Sequence, residues 1–189
     1  KFPSLENTYQ TKPIQLAEEL GFDKIEYMVT EKVHGANFSF HVFRSGDSIE
    51  IKCAKRSGFI EQDEKFFNYR PVVEKYKEAL IKLHTEVLDN DFILYGELYG
   101  GNIQSGMPYK EEQDFIAFDL CMKQDDIFLP LNKHNLYSKT FSNLGIPVVP
   151  LLGLFNSLQE ALEFNEYFES KLTCPIFSGK DEHKEAEGI

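Results

Sequence analysis

The chain has 189 residues and a formal net charge of −11 at pH 7, from 31 acidic and 20 basic side chains. The length suits one hydrophobic core, and the 42% content of hydrophobic residues is typical of a globular protein and excludes a disordered one. The negative charge argues against broad, non-specific adhesion to nucleic acid or to an anionic membrane, although it leaves room for a locally basic site.

Neither a membrane span nor a secreted protein is indicated. The longest nearly apolar run, residues 147–155, is far shorter than the roughly 18 residues needed to cross a bilayer. The three cysteines, Cys53, Cys121 and Cys174, are widely spaced and form no Cys-x-x-Cys pair, which disfavours both a disulfide framework and a zinc site. We therefore expect an intracellular protein, cytoplasmic or organellar, in a reducing compartment and with no membrane partner.

The first part of the chain predicts a helix followed by strands. Residues 13–20 carry an apolar face and are followed by Gly21, a residue typical of a helix end. From Lys24 to Thr30 apolar residues alternate with polar ones, which predicts a strand. A second alternating run, residues 38–42, turns and returns as residues 49–53, which predicts a hairpin. The segment 31–37 therefore joins two strands, where loops often carry function.

The second part alternates helices and strands. Residues 71–88 carry one apolar stripe and predict a long helix, with Pro71 in its first turn. Residues 91–101 and 114–122 predict two apolar strands. Residues 132–144 predict a helix, and Ser157 with Glu160 forms a capping box for a last helix that extends to Phe168. The pattern predicts a single domain over residues 1–189 of the α+β class.

Lys32 is the first candidate for a catalytic residue. A lysine becomes a nucleophile only as the neutral amine, and nearby cations or desolvation favour that form. Lys52, Lys55 and Arg56 lie on the return strand of the hairpin that begins near Lys32, and they are the expected neighbours. The ordinary alternative is a solvated loop lysine.

The residues after Lys32 carry a resemblance to a known family. Lys32-Val33-His34-Gly35-Ala36-Asn37 resembles the nucleotidyl-acceptor motif of the covalent nucleotidyltransferases, which include ATP-dependent RNA ligases, DNA ligases and mRNA capping enzymes. The Lys-x-His-Gly-x-Asn form is similar to the RNA ligase 2 branch, which includes the kinetoplastid RNA-editing ligases. DNA ligases and capping enzymes usually show Lys-x-Asp-Gly. The resemblance implies a nucleotidyltransferase domain of mainly antiparallel sheets flanked by helices, with an ATP cleft between them.

Four further segments resemble motifs of this family, in the family's order. They are residues 53–58, 95–100, 115–119 and 186–189. By resemblance, Arg56 contacts the nucleotide, Glu97 binds the ribose and Phe118 stacks on adenine. The implied catalytic residues are Lys32 and His34; the implied nucleotide-binding residues are Glu31, Lys32, Asn37, Arg56, Glu97, Phe118 and Glu187; and the implied metal residues are Glu187 and, through water, Asn37.

Each of these residues also has an ordinary interpretation. Glu97 lies within an apolar run, where an unpaired carboxylate would be costly, but it could also face water from an alternating strand. Phe118 is one of 17 phenylalanines and could be a core residue. Arg56 could form a surface salt bridge, and His34 could be a loop histidine with its hydrogen bonds satisfied.

The resemblance implies a three-step reaction. Lys32 attacks the α-phosphate of ATP and releases pyrophosphate, AMP passes to a 5′-phosphate RNA end, and a 3′-hydroxyl displaces AMP. The implied cofactors are ATP and Mg²⁺ or Mn²⁺, and the implied substrate is RNA ends, in particular a nick in duplex RNA. His34 would orient the leaving pyrophosphate or contact the nucleic acid.

One part of the family pattern is missing. The family has a Lys-x-Lys motif after the segment that corresponds to Glu187, whereas the sequence stops at Ile189, and Lys180 and Lys184 precede Glu187. We therefore expect a nucleotidyltransferase domain that is incomplete at its C-terminus, with reduced or no activity as an isolated fragment. Two alternatives stay open: a non-catalytic or truncated module that binds nucleotide or RNA, and a related DNA ligase or capping-type enzyme.

Overall fold

Antiparallel sheets and short helices make up the part of the chain that the structure describes. The computed structural model describes residues 10–101, 103–104, 107, 109–124, 127–131, 136–165, 167–172 and 186. In chain order the elements are α1 (Thr11–Glu19), a 3₁₀-helix (Phe22–Lys24), β1 (Tyr27–Thr30), β2 (Ala36–Ser45), β3 (Ser48–Lys55), β4 (Gly58–Phe59), α2 (Tyr69–Lys82), a π-helix (Leu83–Leu88), β5 (Phe92–Tyr99), β6 (Asp114–Met122), β7 (Ile127–Pro130), α3 (Leu136–Asn143), β8 (Leu151–Phe155) and α4 (Leu158–Leu162).

The larger sheet has six strands in the order β4-β3-β2-β5-β6-β7, and every neighbouring pair is antiparallel. Phe38, Phe40 and Val42 alternate along β2 and are buried on one face of the sheet. Helix α2 packs against this face, because its own buried residues recur every four positions and form a stripe. The members of that stripe are Val72, Tyr76 and Leu80.

The smaller sheet consists of β1 and β8, paired antiparallel. The segment that leads into β8 runs beside β6, where the Ala117 N–H donates to the Pro147 carbonyl (2.8 Å) and the Val149 N–H donates to the Ala117 carbonyl (2.9 Å). A group of buried side chains joins these parts of the molecule, and we call it the inter-sheet cluster: Val33, Tyr99, Tyr109, Ile116 and Val149. Because β1 leads into β2, the chain crosses from the small sheet to the large one at residues 31–35, beside this cluster.

The predicted α+β class is confirmed, as are most of the predicted elements. The first helix is followed by Gly21 at a φ of 74°, a conformation that suits glycine at a helix end. The hairpin of β2 and β3 turns where it was expected. The long helix is confirmed from Tyr69 to Lys82, with Pro71 in its first turn, and continues as a π-helix in which the ring of buried His84 is 2.9 Å from Asp91.

The structure differs from the sequence prediction at two element boundaries and in short strands that were not predicted. The first strand begins at Tyr27 rather than Lys24, because a 3₁₀ turn precedes it and the Tyr27 hydroxyl donates to the Phe22 carbonyl (2.9 Å). Strand β7 was not predicted. The last helix ends at Leu162 and does not reach Phe168, because the Asn165 side chain bonds to the backbone of Tyr167, and such local bonds compete with helix formation.

Two further sequence predictions, on the cysteines and on membrane spans, can be compared with the described residues. Cys53 is a free thiol; Cys174 lies outside the described residues. Within the described ranges, the structure contains no helix that is both long and apolar enough to span a membrane.

Candidate nucleotide-binding site

Lys32 lies on the crossing between the two sheets. Its neighbours Glu31 and Val33 are 1% and 6% exposed, whereas Lys32 itself is exposed. Val33 belongs to the inter-sheet cluster. The backbone on both sides of Lys32 is therefore anchored in the protein, while its side chain extends outward.

Glu31, an expected nucleotide-binding residue, directs its carboxylate into the protein. One carboxylate oxygen accepts a hydrogen bond from the Ser170 hydroxyl, and the other accepts one from the Lys171 N–H (3.0 Å). The structure thus places this side chain in contact with residues 170–171.

His34 and Gly35 are held by the segment between β5 and β6. The backbone N–H of His34 donates a hydrogen bond to the Tyr109 hydroxyl (2.9 Å), and the side-chain amide of Gln104 donates one to the Gly35 carbonyl (3.2 Å). A Cβ at Gly35 would lie 2.3 Å from the Leu98 carbonyl oxygen. Only glycine permits this approach of the loop to β5, which explains the residue type at this position.

Asn37 and Glu97 lie directly opposite each other on β2 and β5. Opposite residues of an antiparallel pair have Cβ atoms about 4.5–5.5 Å apart and share one face of the sheet. That face is opposite to the one covered by α2, because Phe38, the next residue, is buried against α2. The structure therefore brings Asn37 and Glu97 together, and both are half-buried.

Arg56 lies near this pair at the end of β3. Lys55 is opposite Phe38, so Arg56 follows at the level of Asn37, where it is exposed in a turn. Lys55 faces the other side of the sheet: its ammonium group pairs with Glu64 and lies over the Phe66 ring at 6.0 Å. By this register Arg56 lies beside Asn37, whereas the Lys55 side chain is on the far side of the sheet.

An irregularity in β6 determines the direction of the Phe118 side chain. Tyr95 lies opposite Asp119 and Gly96 lies opposite Ala117, so Phe118 is an extra residue without a partner in the register. Its ring is half-buried and packs against both the inter-sheet cluster and the buried residues Ile93, Tyr95 and Cys121. The structure thus places Phe118 on the Asn37 side of the sheet, in contact with the cluster that contains Val33.

Asp119, the residue after Phe118, has a carboxyl group with a raised pKa. Burial raises the pKa of Asp119 to about 6. At neutral pH this group is mostly ionised, but it gains or loses a proton within the physiological range.

A separate cavity of about 810 Å³ lies between β3 and α2 and extends around the sheet edge. Residues such as Ile51, Tyr69 and Val73 line it, and none of the predicted site residues that the structure describes does. This cavity is therefore distinct from the described residues of the predicted site.

Comparison with known proteins identifies the family of the chain. A family model described as RNA ligase matches residues 25–189. The chain belongs to the RNA ligase family. RNA-editing ligase 1, mitochondrial, of Trypanosoma brucei brucei is 30% identical over 108 residues, which covers 53% of this chain and 23% of that protein. RNA-editing ligase 2, mitochondrial, of the same organism is 30% identical over 107 residues, which covers 53% of this chain and 25% of that protein.

Solved structures of Naegleria gruberi RNA ligase share the fold of this RNA ligase family member. A variant with ATP and Mn has a TM-score of 0.66 at 20% identity, covering 99% of this chain and 52% of that one. The same ligase with PPi gives a TM-score of 0.66, 20% identity and the same coverage. The predicted RNA ligase 2-type resemblance and the nucleotidyltransferase fold are thus confirmed. The chain spans about a quarter of the curated relatives (23–25%) and about half of the Naegleria ligase (52%).

The expected metal residues are only partly within the described ranges. Glu187 lies outside them. Among the described residues, no group of three or more His, Cys, Asp or Glu side chains is placed to hold a metal ion.

Sequence reasoning missed the residues that hold the Lys32 loop. Tyr109, Gln104, Ser170 and Lys171 contact residues 31–35 from 69 to 140 positions away along the chain. No local pattern marks them, because each is an ordinary polar residue whose partner is set by the packing of distant segments.

Proposed function

We propose that this RNA ligase family member carries the adenylyl-accepting centre of an ATP-dependent RNA ligase, which joins 3′-hydroxyl and 5′-phosphate RNA ends at nicks in duplex RNA through a lysine–AMP intermediate. The observation that carries the proposal is the position of Lys32, exposed between the buried residues Glu31 and Val33 in the family's motif. Family membership supports it.

In the first step, the neutral Lys32 amine attacks the α-phosphorus of ATP. A nitrogen–phosphorus bond forms, the bond from the α-phosphorus to the bridging oxygen breaks, pyrophosphate leaves, and the amine loses a proton to solvent. In the second step, a 5′-phosphate oxygen of RNA attacks the same phosphorus and releases Lys32. In the third step, a 3′-hydroxyl attacks the RNA phosphate, AMP leaves and the strand is closed.

The other residues bind and orient the nucleotide. Arg56 donates hydrogen bonds to phosphate or ribose oxygens, Glu97 accepts from ribose hydroxyls, and Phe118 offers a ring face to adenine. His34 orients the pyrophosphate. The placement of Asn37, Glu97 and Phe118 on one side of the sheet supports these roles.

The cofactors are ATP and a divalent ion, Mg²⁺ or Mn²⁺, for which Glu187 and a water held by Asn37 are the proposed contacts. When bound, the ion would stabilise negative charge on phosphate oxygens. Residues 1–189 represent a nucleotidyltransferase domain of a longer ligase that works in a reducing compartment inside the cell.

The test is the intact mass of the protein after incubation with ATP and Mg²⁺, for both this chain and the full-length parent protein. We expect a gain of one AMP in the full-length protein. Lys32→Ala should abolish the gain, because no other side chain occupies the motif position. The matched control is Lys24→Ala, which removes another exposed lysine and should leave the gain intact.

The other outcomes discriminate between the alternatives. An adduct in the full-length protein alone would show that this chain is an incomplete enzyme. Reversible ATP binding with no adduct in either protein would contradict the proposal and favour a non-catalytic binding module. If the adduct forms, a panel of nicked RNA and DNA duplexes decides the substrate.

A further inference from the structure

The Glu31 carboxylate is fully enclosed, although it immediately precedes the exposed Lys32. Glu31 is 1% exposed, and a buried carboxylate is costly unless hydrogen bonds satisfy it. Here both oxygens have donors from the chain itself, the Ser170 hydroxyl and the Lys171 N–H (3.0 Å). Neither oxygen needs a nucleotide to be satisfied.

The donors belong to a segment that is itself well anchored. Ser170 is 2% exposed, and its hydroxyl oxygen accepts a hydrogen bond from the Leu172 N–H (3.1 Å). The Lys171 ammonium group donates to the Leu151 carbonyl (3.2 Å) at the start of β8. The Glu31 N–H donates to the Pro150 carbonyl (3.0 Å). Glu31 therefore joins residues 170–172 to the small sheet at the point where β1 ends.

The same segment supports the other side of Lys32. Leu172 packs against the inter-sheet cluster, which contains Val33. Residues 170–172 thus contact Glu31 through hydrogen bonds and the surroundings of Val33 through apolar packing. Lys32 lies between these two contacts, so the segment determines where its backbone sits.

We infer that Glu31 is a positioning residue: its carboxylate fastens residues 170–172 to the Lys32 loop and so orients the nucleophile, rather than binding the nucleotide. This inference rests on the proposed function. An in-line attack tolerates little misplacement, and an error of about 1 Å can cost about 100-fold in rate. The tether therefore acts on the rate of adenylylation and leaves the affinity for ATP unchanged.

The experiment measures two quantities in the full-length protein. The first is the single-turnover rate constant for adenylylation at saturating ATP and Mg²⁺. The second is the Kd for ATP in a Lys32→Ala background, where no covalent step interferes. For Glu31→Gln we expect the rate constant to fall by about 10- to 100-fold, with the Kd changed less than about threefold. Ser170→Ala removes one hydrogen bond and should lower the rate constant less, by up to about tenfold.

The controls separate positioning from damage to the fold. Glu64→Gln removes another paired carboxylate, the partner of Lys55 on the far side of the sheet, and should leave both quantities unchanged. The double variant Glu31→Gln/Ser170→Ala should be no slower than Glu31→Gln alone, because both changes break one tether. If Glu31→Gln does not fold, Ser170→Ala still tests the inference.

Three results would overturn the inference. One is a raised Kd for ATP with an unchanged rate constant, which would make Glu31 a nucleotide ligand. Another is an unchanged rate constant in both variants. The third is a multiplicative loss in the double variant. If the wild-type protein forms no adduct at all, the proposed function fails and this inference fails with it; an adduct at equal rates in wild type and variants overturns the inference alone.

Discussion

Asp119 is a carboxyl group whose protonation depends on its burial in the sheet. Burial raises its pKa to about 6. In the unfolded chain an aspartate has a pKa of about 3.9, so between about pH 4 and 6 the folded state holds a proton that the unfolded state has lost. Stability therefore falls as the pH rises through this window, and the full penalty is present above it.

Asp119→Asn should stabilise the protein at pH 8, because the amide carries no charge that burial disfavours. We expect the free energy of unfolding to rise by about 1–3 kcal/mol at pH 8 and the difference to vanish below about pH 4. Urea unfolding of both proteins at several pH values checks this. A variant that is no more stable than the wild type at pH 8 would contradict a raised pKa of Asp119.

Asp91→Asn is the matched comparison, and we expect it to change the free energy of unfolding in the opposite direction. Burial alone would raise the pKa of Asp91, but hydrogen bonds from the His84 ring and the Arg44 N–H outweigh it and lower the pKa. The ionised Asp91 carboxylate stabilises the fold at pH values above the pKa that this group has in the unfolded chain. The variant should therefore be less stable than the wild type at pH 8, and the difference should shrink as the pH falls below about 4.

At the scale of elements, one carboxylate joins α2 to β6. Asp114, the first residue of β6, is buried and accepts hydrogen bonds from the Tyr76 hydroxyl (2.7 Å) and from the ammonium groups of Lys75 (2.7 Å) and Lys110 (2.5 Å). Burial alone would raise the pKa of Asp114, but these bonds and one from the Phe115 N–H outweigh it and lower the pKa. The network holds α2 against the start of β6.

Asp114→Asn should lower the free energy of unfolding by about 2–4 kcal/mol at pH 7, because it removes the charge that satisfies three donors. Tyr76→Phe removes a single hydrogen bond and should cost about 1 kcal/mol. Urea unfolding of both variants gives the comparison. Equal losses would show that the lysines, which are 53% and 35% exposed, contribute nothing beyond what water provides.

At the scale of the whole molecule, the site depends on how the two sheets meet. The inter-sheet cluster joins Val33 of the Lys32 loop to Ile116 of β6 and to Val149. The large core between the sheet and α2 lies on the other face. A defect in the cluster should therefore affect the Lys32 loop, whereas a defect of equal size in the large core should not.

Val149→Ala and Val42→Ala test this as a matched pair. The two valines are 3% and 1% exposed, so each variant should lose about 1–3 kcal/mol of stability. Only Val149→Ala should slow adenylylation, by about tenfold, because it loosens the support of the loop. The measurement is the single-turnover rate at a temperature where both variants are folded. Equal rates would place the support of the loop elsewhere.

The periodicity of the residues was sufficient to identify most elements of the fold. Alternation along β2, β3, β5 and β6 marks which residues face the core, and the stripe on α2 marks the surface that covers them. The sequence also marked Lys32, Asn37, Arg56, Glu97 and Phe118 as candidate site residues, through their resemblance to motifs of the family. The roles of these residues in the reaction stay predictions, as does that of Glu187, which lies outside the described residues.

The contacts between distant segments were decided by the tertiary structure alone. The pairing of Glu31 with Ser170 spans 139 positions, and that of His34 with Tyr109 spans 75. The side of the sheet that Lys55 faces and the extra residue at Phe118 follow from strand register. Periodicity encodes only which face of a local element is apolar; which polar groups meet across that face depends on how all the elements pack, and no local pattern carries that information.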